Sequence, residues 1–196
     1  MPGTVLYLAL EDHFRRLQSR LTTVLHSDAP PRRLHLHVEW PSLADGGLDR
    51  LDTWLDKHPG TKLVVVDTFA KLRDPTARKG YRADYAELGA MKRLADARGL
   101  GLLLVHHLTK ARGDDPFQHF SGSVGLTAAA DTLLHLSRRR GAEQCVLRTT
   151  GRDVEESELG LRFVKGRFAL EAKPPHASSE VALSPERRAI LEFISR

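Results

Sequence analysis

A single cysteine, Cys145, in 196 residues excludes an internal disulfide framework. It fits a reducing cytoplasm, and its β-prone surroundings make it a small apolar filler in a strand. Long apolar runs are also missing. None approaches the roughly 20 residues that cross a bilayer, so no membrane span is expected. The opening Met1-Pro2-Gly3-Thr4 has no basic stretch leading into an apolar one, which leaves no readable signal peptide. No internal repeat is visible. A zinc site is not expected either: His35 and His37 share one strand face, but no third ligand stands at a sensible spacing.

What is present suits one soluble α/β domain. Hydrophobic residues make up 41% and charged residues 28%, enough to bury a core. The net charge of +5 is compatible with a polyanionic partner without being specific for one. Thr4 to Leu10 is apolar and β-prone. Phe14, Leu17, Leu21, Val24 and Leu25 then fall on one helical stripe, opened by Asp12. Leu34 to Val38 alternates as a short strand, and a second helix runs from Gly46-Gly47 to Pro59-Gly60 with Leu48, Leu51, Trp54 and Leu55 inward. Leu63-Val64-Val65-Val66 is apolar at successive positions, which predicts a strand covered on both faces.

A polar loop, Lys71 to Gly80, leads to a long helix with Tyr81, Tyr85, Leu88, Met91 and Ala95 on one face. Gly99 ends that helix. Gly101 to Val105 is a further apolar strand. This order predicts a doubly wound, mostly parallel sheet. After a Gly/Ser/Phe loop over 109–125, four stretches read as an antiparallel extension: Ala130 to Leu136, Gln144 to Thr149, Leu159 to Val164 and Arg167 to Glu171. The core is expected over 1–172. A linker follows over 173–183. Residues 184–196 then start a helical module, with Pro185 at its first position and Ala189, Ile190, Phe193 and Ile194 on its apolar side.

In open α/β sheets, ligands sit at the carboxyl ends of the strands. The polar residues just past the apolar runs are Glu11 and Asp12, Asp67 and Thr68, and His106 and His107. Two acids and an imidazole at one sheet edge are what metal-assisted phosphate chemistry needs. One carboxylate holds Mg²⁺ through its water shell, another takes a proton from attacking water, and a neutral donor senses the phosphate. Each residue also has a plainer reading: Asp67 as a turn cap, Glu11-Asp12 as a solvated helix start, the histidines as one packed and one exposed strand end.

Leu63-Val64-Val65-Val66-Asp67-Thr68 resembles a Walker B strand. Leu8-Ala9-Leu10-Glu11-Asp12 is similar to the strand end that carries the catalytic glutamate of RecA-like ATPases. Leu103 to Lys110 resembles the histidine-bearing third motif of hexameric replicative helicases. Ser121-Gly122-Ser123 and Ala129 to Leu136 resemble a stretch of plasmid RepA-type and DnaB-type helicases. The resemblance spans roughly residues 4 to 172 and implies a RecA-like fold, ATP and Mg²⁺ as cofactors, a ring-shaped homo-oligomer and single-stranded DNA as partner. It makes Glu11 the residue that polarises water, Asp67 the anchor of the Mg²⁺ shell with Thr68 and His106 beside the nucleotide, and His107 the reader of the γ-phosphate. Arg152 falls where the family places an arginine finger acting on a neighbouring subunit; Arg148 is its rival for that role.

Two loops invite a nucleic-acid reading, because cations interleaved with rings suit phosphates and stackable bases. One carries Lys71, Arg73, Arg78, Lys79 and Arg82; the other carries Lys110, Arg112, Phe117, His119 and Phe120. Plain polar loops would look the same. Arg138-Arg139-Arg140 reads as a solvated hairpin.

One part of the resemblance is lacking. A phosphate-gripping GxxxxGK[ST] loop occurs nowhere in the sequence. In RecA-like folds the strand before that loop lies between the strand ending at His106 and the one containing Thr132 to Leu136. The expectation is therefore a sheet with that interior strand missing and two edges left open, and a natural start upstream of Met1. The alternative is a RecA-like module that has lost catalysis and binds DNA or another ATPase subunit.

Overall fold

The computed structural model describes residues 3–73, 80–108 and 124–171. The expected linker, the terminal helical module and most of the Gly/Ser/Phe loop lie outside these residues. Two four-stranded sheets are formed. The first is parallel: β1 (Thr4–Ala9), β2 (Leu34–His37), β3 (Thr61–Asp67) and β4 (Gly101–Val105) stand in the order β2-β1-β3-β4. The second is an antiparallel meander of β5 (Thr132–Arg138), β6 (Gln144–Gly151), β7 (Ser157–Val164) and β8 (Arg167–Leu170). Among the described residues five helices accompany them: α1 (Phe14–Leu25), α2 (Gly47–Lys57), α3 (Phe69–Leu72), α4 (Tyr81–Arg98) and α5 (Val124–Ala129).

Register builds the core. Leu6 lies opposite Val64 and Val64 opposite Leu102; one pleat further on, Leu8, Val66 and Leu104 form the next row. Side chains of one row share a face, and these rows pack with Leu51 and Leu55 of α2 and with Leu88 and Met91 of α4. Each such side chain contributes about 1.5–3 kcal/mol on burial. Val64 and Val66 are fully buried, and Val65 on the opposite face is 7% exposed. The central strand is thus covered on both sides, as its unbroken apolar run predicts.

Among the described residues the two sheets do not pair with each other. Among the described residues β4 and β5 are each hydrogen-bonded on one side only, leaving an open edge on each sheet. At its open edge β4 alternates, with Leu103 at 40% and Val105 at 38% exposure. The α4–α5 packing spans the divide, reinforced by an ion pair between Lys92 and Asp131.

Several local expectations need correction. The first helix is opened by His13, whose ring accepts from the backbone N–H of Arg16, because the Asp12 carboxylate is taken by the Arg16 and Arg20 side chains. Its apolar stripe is only partly covered: no residue of α1 is buried, and Phe14 is 65% exposed. The loop expected from Lys71 starts instead with the single turn α3, held by the buried Phe69 and Leu72. On α4, Leu88, Met91 and Ala95 are buried as expected, whereas Tyr81 and Tyr85 are exposed. Gly99 caps α4 at φ 59°, a left-handed conformation that costs glycine little. Among the described residues no helix is long and apolar enough to cross a membrane.

Candidate active site

Parallel pairing brings the carboxyl ends of β1, β3 and β4 together, so residues far apart in sequence share one rim. Ala9 lies opposite Asp67 and Asp67 opposite Val105. The chain then turns outward at Leu10, whose N–H donates to the Asp67 carbonyl at 2.6 Å, and this places Glu11 over the ends of β3 and β4. The Thr68 hydroxyl donates to Glu11 Oε1 at 3.1 Å, and His107 Nε2 stands 3.3 Å from the same oxygen. Three residues from three strand ends thus meet at one carboxylate.

The acids at this rim are sorted by geometry. Successive residues diverge, so Asp12 turns back to its arginines while Glu11 faces the rim. Hydrogen bonding by His107 and by Thr68, together with the positive charge of Lys71, holds the Glu11 carboxyl below the usual carboxylate range against the opposing effect of burial. Its side chain keeps 37% exposure, so water can reach it. Asp67 accepts from the Tyr7 hydroxyl at 2.7 Å. Burial and the Asp67 hydrogen bond push the Tyr7 hydroxyl far above its ordinary range, so it acts as a fixed donor. The Asp67–Thr68 peptide is cis.

The two histidines differ as strand-end neighbours should. His106 is tucked inward, edge-on to Phe69 with ring centroids 6.3 Å apart, while His107 is exposed and faces Glu11. Tyr7 is the residue that sequence reading missed. A polar ring within the apolar run of β1, two residues before Ala9 and on the face of the pleat that carries Asp67, was the available signal.

Other candidates lie elsewhere. Arg73 is engaged by Asp84 and by Glu87 at 2.6 Å, with its own side chain 16% exposed. It pins α4 to the end of β3 and does not reach outward as a DNA contact would. Lys71 is exposed on α3. Lys110, Arg112, Phe117 and Phe120 lie outside the described residues. Arg152 is not at the rim: its guanidinium donates to the Ala128 carbonyl at 2.9 Å and lies 3.6 Å from Asp131, which Lys92 also holds. Lys92 stands about 16 Å down the axis of α4 from Tyr81, at ~1.5 Å per residue. Gly151, just before it, passes close to the Asp131 carbonyl, where a Cβ would fall 2.6 Å from the oxygen. Arg148 pairs with Glu158 at 2.8 Å on the neighbouring strand. His35 and His37 meet aromatic rings, His35 against Trp54 and His37 against Trp40, and no group of three metal-ligating residues occurs among the described residues.

A family model described as an AAA domain matches residues 1–113, more than half of the chain. The chain belongs to the AAA domain family. The matched stretch contains Glu11, Asp67, Thr68, His106 and His107, whereas Arg152 lies beyond it. Among solved structures the chain is similar to the ATPase domain of a helicase, with a TM-score of 0.69 and 15% identity over 85% of this chain and 74% of that one. It is also similar to the RadB recombinase, with a TM-score of 0.57 and 17% identity over 85% of this chain and 78% of that one. At such identities the likeness is one of fold, and the fold of this AAA domain is RecA-like. No curated protein sequence matches it.

Proposed function

We propose that this AAA domain is the catalytic core of an ATP-hydrolysing, helicase-type protein that works on single-stranded DNA as a ring of identical subunits. The observation that carries the reading is the convergence of Thr68 and His107 on one oxygen of Glu11. A carboxylate held ionised and open to water is a general base, and His107 is placed to couple it to whatever occupies the rim.

The residues fit a hydrated magnesium ion. Mg²⁺ favours oxygen donors, keeps most of its waters and uses one or two carboxylates rather than a protein cage. Asp67 and Glu11 supply two carboxylates at one rim, each with only one oxygen engaged by a side chain named above. Asp67, fixed by Tyr7, would hold the ion through water, and the bound ion would neutralise phosphate charge. Thr68 and His106 flank the same position. Hydrolysis would then need Glu11 to take the proton as water attacks the terminal phosphorus and the bond from that phosphorus to the bridging oxygen breaks, releasing phosphate and ADP.

Arg152 is proposed to act on the site of a neighbouring subunit. Its place toward the far end of α4 from its own chain's rim supports action in trans. Lys71 at the rim, with Lys110, Arg112, Phe117 and Phe120 of the following loop, forms the proposed DNA-facing set. A second reading has its own support: the sequence has no GxxxxGK[ST] loop, and among the described residues β4 and β5 are each paired on one side only. On that reading the domain binds DNA or a partner ATPase without turning over ATP. Binding of a fluorescent ATP analogue, followed by phosphate release with and without oligo-dT, separates the two. Mg²⁺-dependent binding with DNA-stimulated release supports the enzyme; no binding at millimolar nucleotide supports the non-catalytic module.

A further inference from the structure

Tyr81 and Tyr85 open α4 four residues apart, and both are solvent-facing, at 53% and 47% exposure. Their rings stack, with centroids 6.0 Å apart and planes inclined by only 15°. Two half-exposed phenols on one helix turn form a flat apolar platform that the core does not use. The charges around it are uneven. The acids on the first turns of α4 are Asp84, which is buried, and Glu87, and both are bound by Arg73. Arg82, between the two tyrosines in sequence, is exposed and forms no ion pair among the described residues. The platform therefore presents two rings and a cation, with both neighbouring acids turned to Arg73, which offsets one of their two charges.

From this we infer that Tyr81 and Tyr85 form a base-stacking platform for single-stranded DNA, with Arg82 contacting the adjacent phosphate. This rests on the DNA reading above and adds Tyr81 and Tyr85 to it, beside Arg82, which the sequence already placed among the nucleic-acid candidates. The chemistry favours a single strand over a duplex, whose bases are already stacked inward. It favours a nucleic acid over an apolar peptide because the cation is part of the same surface. Stacking of one base on one ring is sequence-tolerant and is lost on removal of the ring. Tyrosines spaced four apart also support a helix by contact with each other, and the test must separate that role from ligand binding.

Fluorescence anisotropy of the full chain with labelled oligo-dT and with an abasic oligonucleotide of equal length provides the separation. Expected are a loss of about tenfold or more in oligo-dT affinity for Y81A and for Y85A, wild-type affinity for Y81F and Y85F, and equal binding of the abasic strand by all five proteins. If wild type binds oligo-dT and the alanine variants bind it equally well, the platform is refuted while the DNA reading stands. Parallel losses on both oligonucleotides also refute it, since the rings would then serve the fold. The platform falls as well if the alanine variants change only self-association in sedimentation, which would make the pair a subunit contact. Failure of wild type to bind either oligonucleotide overturns the DNA reading and the platform together.

Discussion

Glu11 Oε1 and His107 Nε2 stand 3.3 Å apart although 96 positions separate them in the chain. Two parallel strands flanking β3 are what bring them together, one delivering each residue to the same end of the sheet. The pair gives the rim a carboxylate held below the usual carboxylate range beside an exposed imidazole.

Replacing His107 with alanine removes the largest influence that depresses Glu11, so the Glu11 carboxyl should titrate at higher pH in H107A. Carboxyl-carbon NMR of both proteins would measure it. The sign for stability follows from the lowered folded-state value. Glu11 contributes stability above its ordinary value of 4.5, and that contribution is lost as acidification carries the pH down through the lowered value. The partly exposed site keeps the effect small. An unchanged titration in H107A would mean that the contact does not form in solution.

Arg73→Ala is expected to destabilise strongly. It removes the ion pairs that Arg73 makes with Asp84, which is 2% exposed, and with Glu87, and losing one partner of a buried pair costs up to about 3–5 kcal/mol. Chemical denaturation would show the midpoint shift. A change below about 1 kcal/mol would show that Asp84 is not held by Arg73.

The spacing of apolar residues made most of the α/β frame legible. Consecutive valines announced the central strand, alternation announced the edge strand β2, and Gly99 announced the end of α4. The rim was legible too, because the polar residue after each apolar run is fixed by the strand end. What spacing could not show was pairing between distant side chains. Arg73 reads as a loop cation until Asp84 and Glu87, on the next helix, are seen to claim it. Tyr81 and Tyr85 keep the period of the core face of α4, yet lie beyond the reach of the sheet that buries Leu88. Tyr7 was hidden because a hydroxyl inside an apolar run has no period of its own.

Arg152 lies away from the rim that holds Glu11, which leads to a complementation test. R152A and E11Q should each lack ATP turnover, and a mixture should regain part of it, because mixed rings pair an intact arginine with an intact base across some interfaces. Restoration would be followed as phosphate release against mixing ratio. R152A turning over at the wild-type rate would remove Arg152 from the chemistry.

Glu11→Gln keeps the shape of the side chain and its contact with Thr68 while removing the base. Single-turnover phosphate release from ATP, with Mg²⁺ and oligo-dT present, should fall by about 10² or more, with nucleotide affinity within a few-fold of wild type. Release by E11Q as fast as by the wild-type chain would contradict the assignment of this rim as the hydrolytic centre.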